Sequence, residues 1–286
     1  MSDLWTDIQG RRYPGYGCCI YCGSDGGADG LRDEHIIPFA LGGKAYIEKA
    51  SCVSCERRIN PVDTHLGRAV YGQHRIHVGI QTRNPKQRPA SLPANFTVEG
   101  NSIDLDLSIK DHPYALALPV WGPAGFFRGA SIDAPFPTRY VHVYNVTPPN
   151  LRETLNISED QDFRVWASGH IDVSLFARAM TKIAYCHMIT KYGLDGFRRL
   201  VLPEIILGTC PAVPYFVGVS TADPPPKYAA KAQHTIKFTD LTWPTSEFKL
   251  HLVSIRLFAH SGTEQHGMPI YHVIGGAPKL RQGRNH

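Results

Sequence analysis

Two Cys-x-x-Cys pairs, Cys19-Ile20-Tyr21-Cys22 and Cys52-Val53-Ser54-Cys55, stand 29 residues apart near the start of the 286-residue chain. One such turn brings two thiolates to a single ion, and a second pair completes a tetrahedral shell with no open position. That is the pattern of structural zinc. Five of the seven cysteines fall in the first 55 residues, which favours metal over a disulfide framework. Cys18 precedes the first pair, but only Cys19 has the two-residue spacing to Cys22. A unit this small buries little apolar surface, so metal is expected to supply much of its folding free energy.

No run of about eighteen apolar residues occurs, and no basic, apolar and small-residue leader pattern opens the chain. The expectation is a folded cytoplasmic protein without a membrane partner. The net charge of +5 is weak evidence for a polyanionic partner. The local distribution is more informative: Arg57, Arg58, Arg68, Arg75, Arg83, Lys86 and Arg88 face one acid, Asp63, between positions 57 and 88.

Residues 79–95 (GIQTRNPKQRPASLPAN) have a linker's composition and place a boundary near residue 90, dividing the chain into 1–89 and 90–286. Beyond it, Ile103, Leu105, Leu107 and Ile109 alternate with polar residues, the period of a strand with one buried face. Residues 140–146 read as a second strand. From Asp172 to Tyr192 the period becomes helical, with Phe176, Ala179, Ile183 and Cys186 on one face, Asp172 or Ser174 as cap and Gly193 as terminator. Strand-like runs follow at 213–219, 235–238, 250–258 and 270–274, with a proline-rich loop at 223–230. The second part is therefore expected to be α+β. His142, His187, His251 and His272 occur singly there and read as packed or surface residues rather than ligands.

Between the cysteine pairs lie Asp33-Glu34-His35-Ile36-Ile37-Pro38 and Leu41-Gly42-Gly43. The order CIYCG, EHIIP, LGG, ASCVSCE resembles the HNH endonucleases whose ββα-metal fold is held by a four-cysteine zinc site, over about residues 17 to 70. The resemblance implies an α+β chain in which an N-terminal zinc-stapled ββα-metal module precedes a larger α+β domain. It implies a general base at His35 and a metal-ligating acid at Glu34. Phosphodiester hydrolysis needs a base for water and a cation for the charge that builds on the phosphorane and leaving oxygen. Neighbouring side chains on a strand point to opposite faces, so Glu34 and His35 share a site only where the strand bends or ends.

Further ligands in this family come from the helix that starts at the second cysteine pair. Glu56 stands where the family has His or Asn, and Glu56 and Asn60 are spaced i, i+4 on one helical face, with His65 a further turn along. The family's middle Asn is absent from Ala45-Tyr46-Ile47-Glu48-Lys49. Oxygen ligands favour Mg²⁺ or Mn²⁺ at the catalytic position. The basic run from Arg57 to Arg88 is then expected to contact phosphates, with Arg57, Arg58, Arg68 and Arg75 as the named contacts. The expected activity is metal-dependent hydrolysis of DNA, with RNA as a second substrate, and the C-terminal part selects the target, holds a partner or forms a homodimer. The rival reading is a catalytically inactive, zinc-containing nucleic-acid-binding protein.

Overall fold

The computed structural model describes residues 5–7, 10–82, 84–166, 171–221, 233–242, 249–261 and 267–279. Arg83 and the proline-rich loop at 223–230 lie outside them. After β1 (Thr6–Asp7) and β2 (Arg12–Tyr13), the first cysteine pair leads into β3 (Leu31–His35), β4 (Tyr46–Cys52) and α1 (Val53–Thr64). β3 and β4 pair antiparallel, β2 joins β4 in parallel, and α1 begins one residue after Cys52, so the cysteine-bearing segment is a ββα unit. A π-helical turn at His65–Val70 carries the chain into α2 (Gly72–His77).

The loop between β3 and β4 turns on glycine. Gly42 has φ +85, and a Cβ on Gly43 would sit 1.9 Å from the Ile37 carbonyl oxygen. Only a residue without a Cβ fits the second position. Ile36, Ile37 and Leu41 are thereby buried beneath the turn. The Leu41 carbonyl accepts from Gln233 Nε2 at 2.6 Å and from His234 Nε2 at 2.8 Å. His234 Nδ1 accepts the Phe258 backbone N–H at 3.2 Å, so the ring is the neutral tautomer with its proton on Nε2.

The rest of the chain is α+β. β5 (Ser91–Val98) lies between β6 (Asn101–Ser108) and β9 (Phe163–Trp166), with α3 (Leu151–Thr154) beside them in sequence, while β7 (Tyr114–Val120) pairs with β8 (Tyr140–Val146). α4 (Val173–Tyr192) is followed by β10 (Phe197–Arg198), α5 (Leu202–Leu207) and α6 (Val213–Phe216). β11 (Val217–Ser220), β12 (His234–Thr242), β13 (Lys249–Leu257) and β14 (Ile270–Pro278) complete the order. The largest sheet runs β1-β12-β13-β14-β10, with β11 also on β14.

α4 is the hub. Asp172 caps it by accepting from the Leu175 N–H at 3.0 Å, and Gly193 ends it. It packs on β11, β13 and β14 and on α1 and α5. The expected apolar face is buried, but so is most of the circumference, including Met180, Lys182, Tyr185 and Met188. Among the described residues no helix is long and apolar enough to cross a membrane. One hydrophobic cluster joins Cys19, Tyr71, α4 and Val273, and a second, smaller one comprises Ala94, Phe96, Leu107 and Leu151.

Two sequence expectations change. β6 forms where the alternation predicts it, but Ile103 and Leu105 are exposed and Leu107 alone of the three is buried, because β6 is an edge strand with a solvated face. The run at 213–219 is split into α6 and β11, since Pro214 opens a helical turn before the strand begins.

Gly43→Ala should destabilise the chain by roughly 2 kcal/mol or more in urea unfolding, whereas Gly72→Ala, with open space around its Cβ position, should be neutral or gain about 0.5 kcal/mol. Burial holds His187, His234 and His272 at about 4 against an ordinary 6.5. The unfolded chain takes up these protons first, so stability should fall as pH drops from 6.5 to 4, by about 1.4 kcal/mol per pH unit for each such histidine. A flat profile across that window would contradict the assignment.

Candidate metal centre and nuclease cleft

Cys19, Cys22, Cys52 and Cys55 meet with all four Sγ atoms within 4.8 Å of one another. Cys22 Sγ and Cys52 Sγ are 3.7 Å apart, against the sulfur–sulfur separation of about 3.8 Å that a tetrahedron with 2.3 Å bonds to zinc requires. The donors therefore fit a closed, structural site. Two backbone bonds shape the first turn: Gly23 N donates to the Cys19 carbonyl at 2.8 Å and Cys19 N to the Ser24 carbonyl at 2.7 Å. Cys18 is outside the cluster, and Cys186 is fully buried on α4.

A cleft of about 900 Å³ opens along β3 and α1, reaching Glu56, the residue that follows Cys55. Asp33, Glu34 and His35 line it from β3, and Glu56, Asn60 and Asp63 from α1. β3 solves the problem of alternating faces locally: its register slips between Arg32 and Glu34, Asp33 Oδ1 accepts the Lys49 N–H across the bulge at 3.0 Å, and the strand ends at His35. His35 is half-buried with its ring 5.7 Å from those of Phe39 and Tyr46.

Glu34 is buried, and its Oε1 lies 2.7 Å from Lys182 Nζ, which reaches across from α4. The same nitrogen donates to Asp63 Oδ2 at 2.7 Å. Burial raises the Glu34 carboxyl above its ordinary value, with Lys182 pulling the other way. Burial also works against the charged Lys182, yet Asp63 and Glu34 outweigh it and hold the ammonium protonated.

The other expected ligands are distributed along the same wall. Glu56 is exposed and pairs with Arg32 at 3.1 Å, and Asn60 Oδ1 accepts from Thr64 Oγ1 at 3.4 Å. His65 faces elsewhere, with Nε2 accepting the Asp172 N–H at 3.1 Å. Among the described residues the four cysteines form the one group of three or more His, Cys, Asp or Glu that converges as an ion cage. The cleft thus offers scattered carboxylate and amide oxygens. That donor set fits Mg²⁺ or Mn²⁺, which are commonly held by one or two carboxylates, waters and substrate phosphate rather than by a full protein cage.

Arg68, Arg75 and Arg88, all members of the basic run expected to contact phosphates, line the cleft. Arg57 and Arg58 are exposed on α1 outside its lining. Arg75 Nη1 donates to the Gly67 carbonyl at 3.2 Å and Arg88 Nη2 to the Ile76 carbonyl at 2.7 Å. Burial, and then the charges of Arg68 and Arg88, lower the Arg75 pKa. Among the described residues no carboxylate pairs with any of the three.

Residues 19–70 match the family model of the HNH endonucleases. No curated protein and no solved structure matches the chain.

Zinc content separates the two adjacent cysteines. Cys18→Ser should retain one equivalent of zinc, whereas Cys19→Ser and Cys55→Ser should lose it and melt far below the parent protein. Equal loss in Cys18→Ser would contradict the ligand set.

Proposed function

We propose that the HNH endonuclease module at residues 19–70 makes this chain a metal-dependent endonuclease that hydrolyses phosphodiester bonds in DNA. One observation carries the reading: Glu34, His35, Glu56, Asn60, Arg68 and Arg75 line a single cleft on the ββα unit that also carries the four-cysteine centre. In this reading zinc is structural and Mg²⁺ or Mn²⁺ catalytic. His35 takes the proton from the attacking water. Glu34 and Asn60 would hold the cation, with Glu56 joining them once it is released from Arg32. When bound, the cation offsets the charge that builds on the phosphorane and the leaving oxygen.

Arg68, Arg75 and Arg88 hold flanking phosphates as fixed charges. Their carbonyl anchors orient the guanidiniums of Arg75 and Arg88, and contact with the backbone rather than base edges gives affinity without reading sequence. Arg57 and Arg58 extend the basic surface outside the cleft. Residues 90–286 form the scaffold on which the module is seated. A reducing cytoplasmic setting suits four thiolates that must stay reduced to bind metal. The same cleft accommodates RNA backbone.

A second reading, a catalytically inactive nucleic-acid-binding protein, is favoured by the pairing of Glu34 with Lys182 and of Glu56 with Arg32. Cleavage of supercoiled plasmid with Mg²⁺ or Mn²⁺, at equal zinc content, separates the two. The nuclease reading expects metal-dependent nicking that drops by about 10²- to 10⁴-fold in His35→Ala. Intact, salt-sensitive binding without wild-type cutting would leave the second reading. Arg75→Ala and Arg88→Ala should each weaken binding and reduce the slope of log affinity against log salt by about 0.9.

A further inference from the structure

Lys182 is fully buried, yet it belongs to α4 and not to the module whose cleft it serves. Its nitrogen is bonded to two carboxylates, Glu34 from β3 and Asp63 from α1, and both acids line the cleft. Docking of α4 onto the module has other means. Tyr185 Oη donates to the Ile20 carbonyl inside the first cysteine turn, Arg199 Nη1 reaches the same oxygen at 3.4 Å, and the Asp172 N–H donates to His65. Apolar packing around Ile20, Ile59 and Ile183 adds to these bonds. An ammonium removed from water is a costly way to add one more tie, and buried ion pairs often stabilise no better than apolar side chains. Its location at the acidic wall is what needs explaining.

We propose that Lys182 is a positioning residue of the nuclease site, supplied to the module by the C-terminal part of the chain. Its ammonium, with the Tyr21 side chain that also hydrogen-bonds this carboxylate, fixes Glu34 so that it meets the cleft cation in one orientation. Asp63 anchors Lys182 from the opposite side and has a role in the site that the family pattern does not give it. With all three groups ionised the triad keeps one net negative charge, enough to attract a divalent cation without leaving two carboxylates to repel each other. The inference rests on the nuclease reading and deepens it, because it makes the HNH module dependent on α4 for the geometry of its own ligand.

The test is Mn²⁺ titration of the full-length, zinc-loaded protein, with free Mn²⁺ followed by electron paramagnetic resonance, in the wild type, Glu34→Gln, Lys182→Met and Asp63→Asn. Lys182→Met keeps most of the side chain's length and removes its charge. Loss of a group that orients a metal ligand typically weakens metal binding by about 10- to 100-fold, and that loss is expected in Lys182→Met. A smaller loss is expected in Asp63→Asn, with oligonucleotide binding in metal-free buffer unchanged in both. A merely structural Lys182 would leave Mn²⁺ affinity unmoved in a folded variant. Unchanged or tighter Mn²⁺ binding in Lys182→Met overturns the proposal, and Asp63→Asn decides by the same criterion should Lys182→Met not fold. Wild-type protein that binds no Mn²⁺, or binds it equally well with Glu34→Gln, overturns the nuclease reading together with this inference.

Discussion

The two bonds made by Lys182 Nζ, each 2.7 Å long, are the constraint on which the arrangement of the cleft depends. Through them the strand that carries Glu34 and His35, the helix that carries Asn60 and Asp63, and the central helix α4 are held at one point. An ammonium without exposure is tolerable only while its partners remain, and breaking such an interaction by removing one member costs about 3–5 kcal/mol. The cysteine cluster ties α1 at its other end, since Cys52 ends β4 and Cys55 lies in the first turn of α1. Through the ammonium, β3 and α1 have little freedom to separate.

How much of this was legible follows from the distance over which each signal acts. The cysteine spacing, the EHIIP run and the paired glycines are local patterns whose chemistry is set by neighbours in sequence. The structure assembles them into a four-sulfur cluster, a strand that ends at His35 and a turn closed by Gly43. Lys182 carries no such mark. It is one lysine in a helix of mixed character, 119 positions from Asp63, and only tertiary packing reveals that it is buried. Arg88 was legible as one of a basic run, but not its orientation, which depends on a bond to the Ile76 carbonyl. The exposed face of β6 shows the converse: alternation foretold the strand, but nothing local said that the sheet would leave Ile103 and Leu105 in solvent.

The C-terminal part therefore has a role that its own motifs do not announce. Tyr185 holds the carbonyl of Ile20, His234 and Gln233 hold that of Leu41, and Lys182 holds Glu34, so three places in the cysteine-bearing unit are fixed by residues beyond 180. Small zinc units bury little surface of their own, and here the missing core is provided by the rest of the chain. The single hydrophobic cluster that spans both is the packing expression of the same dependence.

The central claim is that the four-cysteine centre and the Glu34–His35 cleft hold two different metals for two different purposes. Anomalous diffraction from crystals of His35→Ala grown with Mn²⁺ and a short DNA duplex, collected at the zinc and manganese edges, tests it most directly. The account expects zinc within the cysteine cluster, manganese in the cleft against Glu34, and a phosphodiester on the manganese with flanking phosphates near Arg75 and Arg88. Density for zinc alone, or DNA bound away from the cleft, would contradict it.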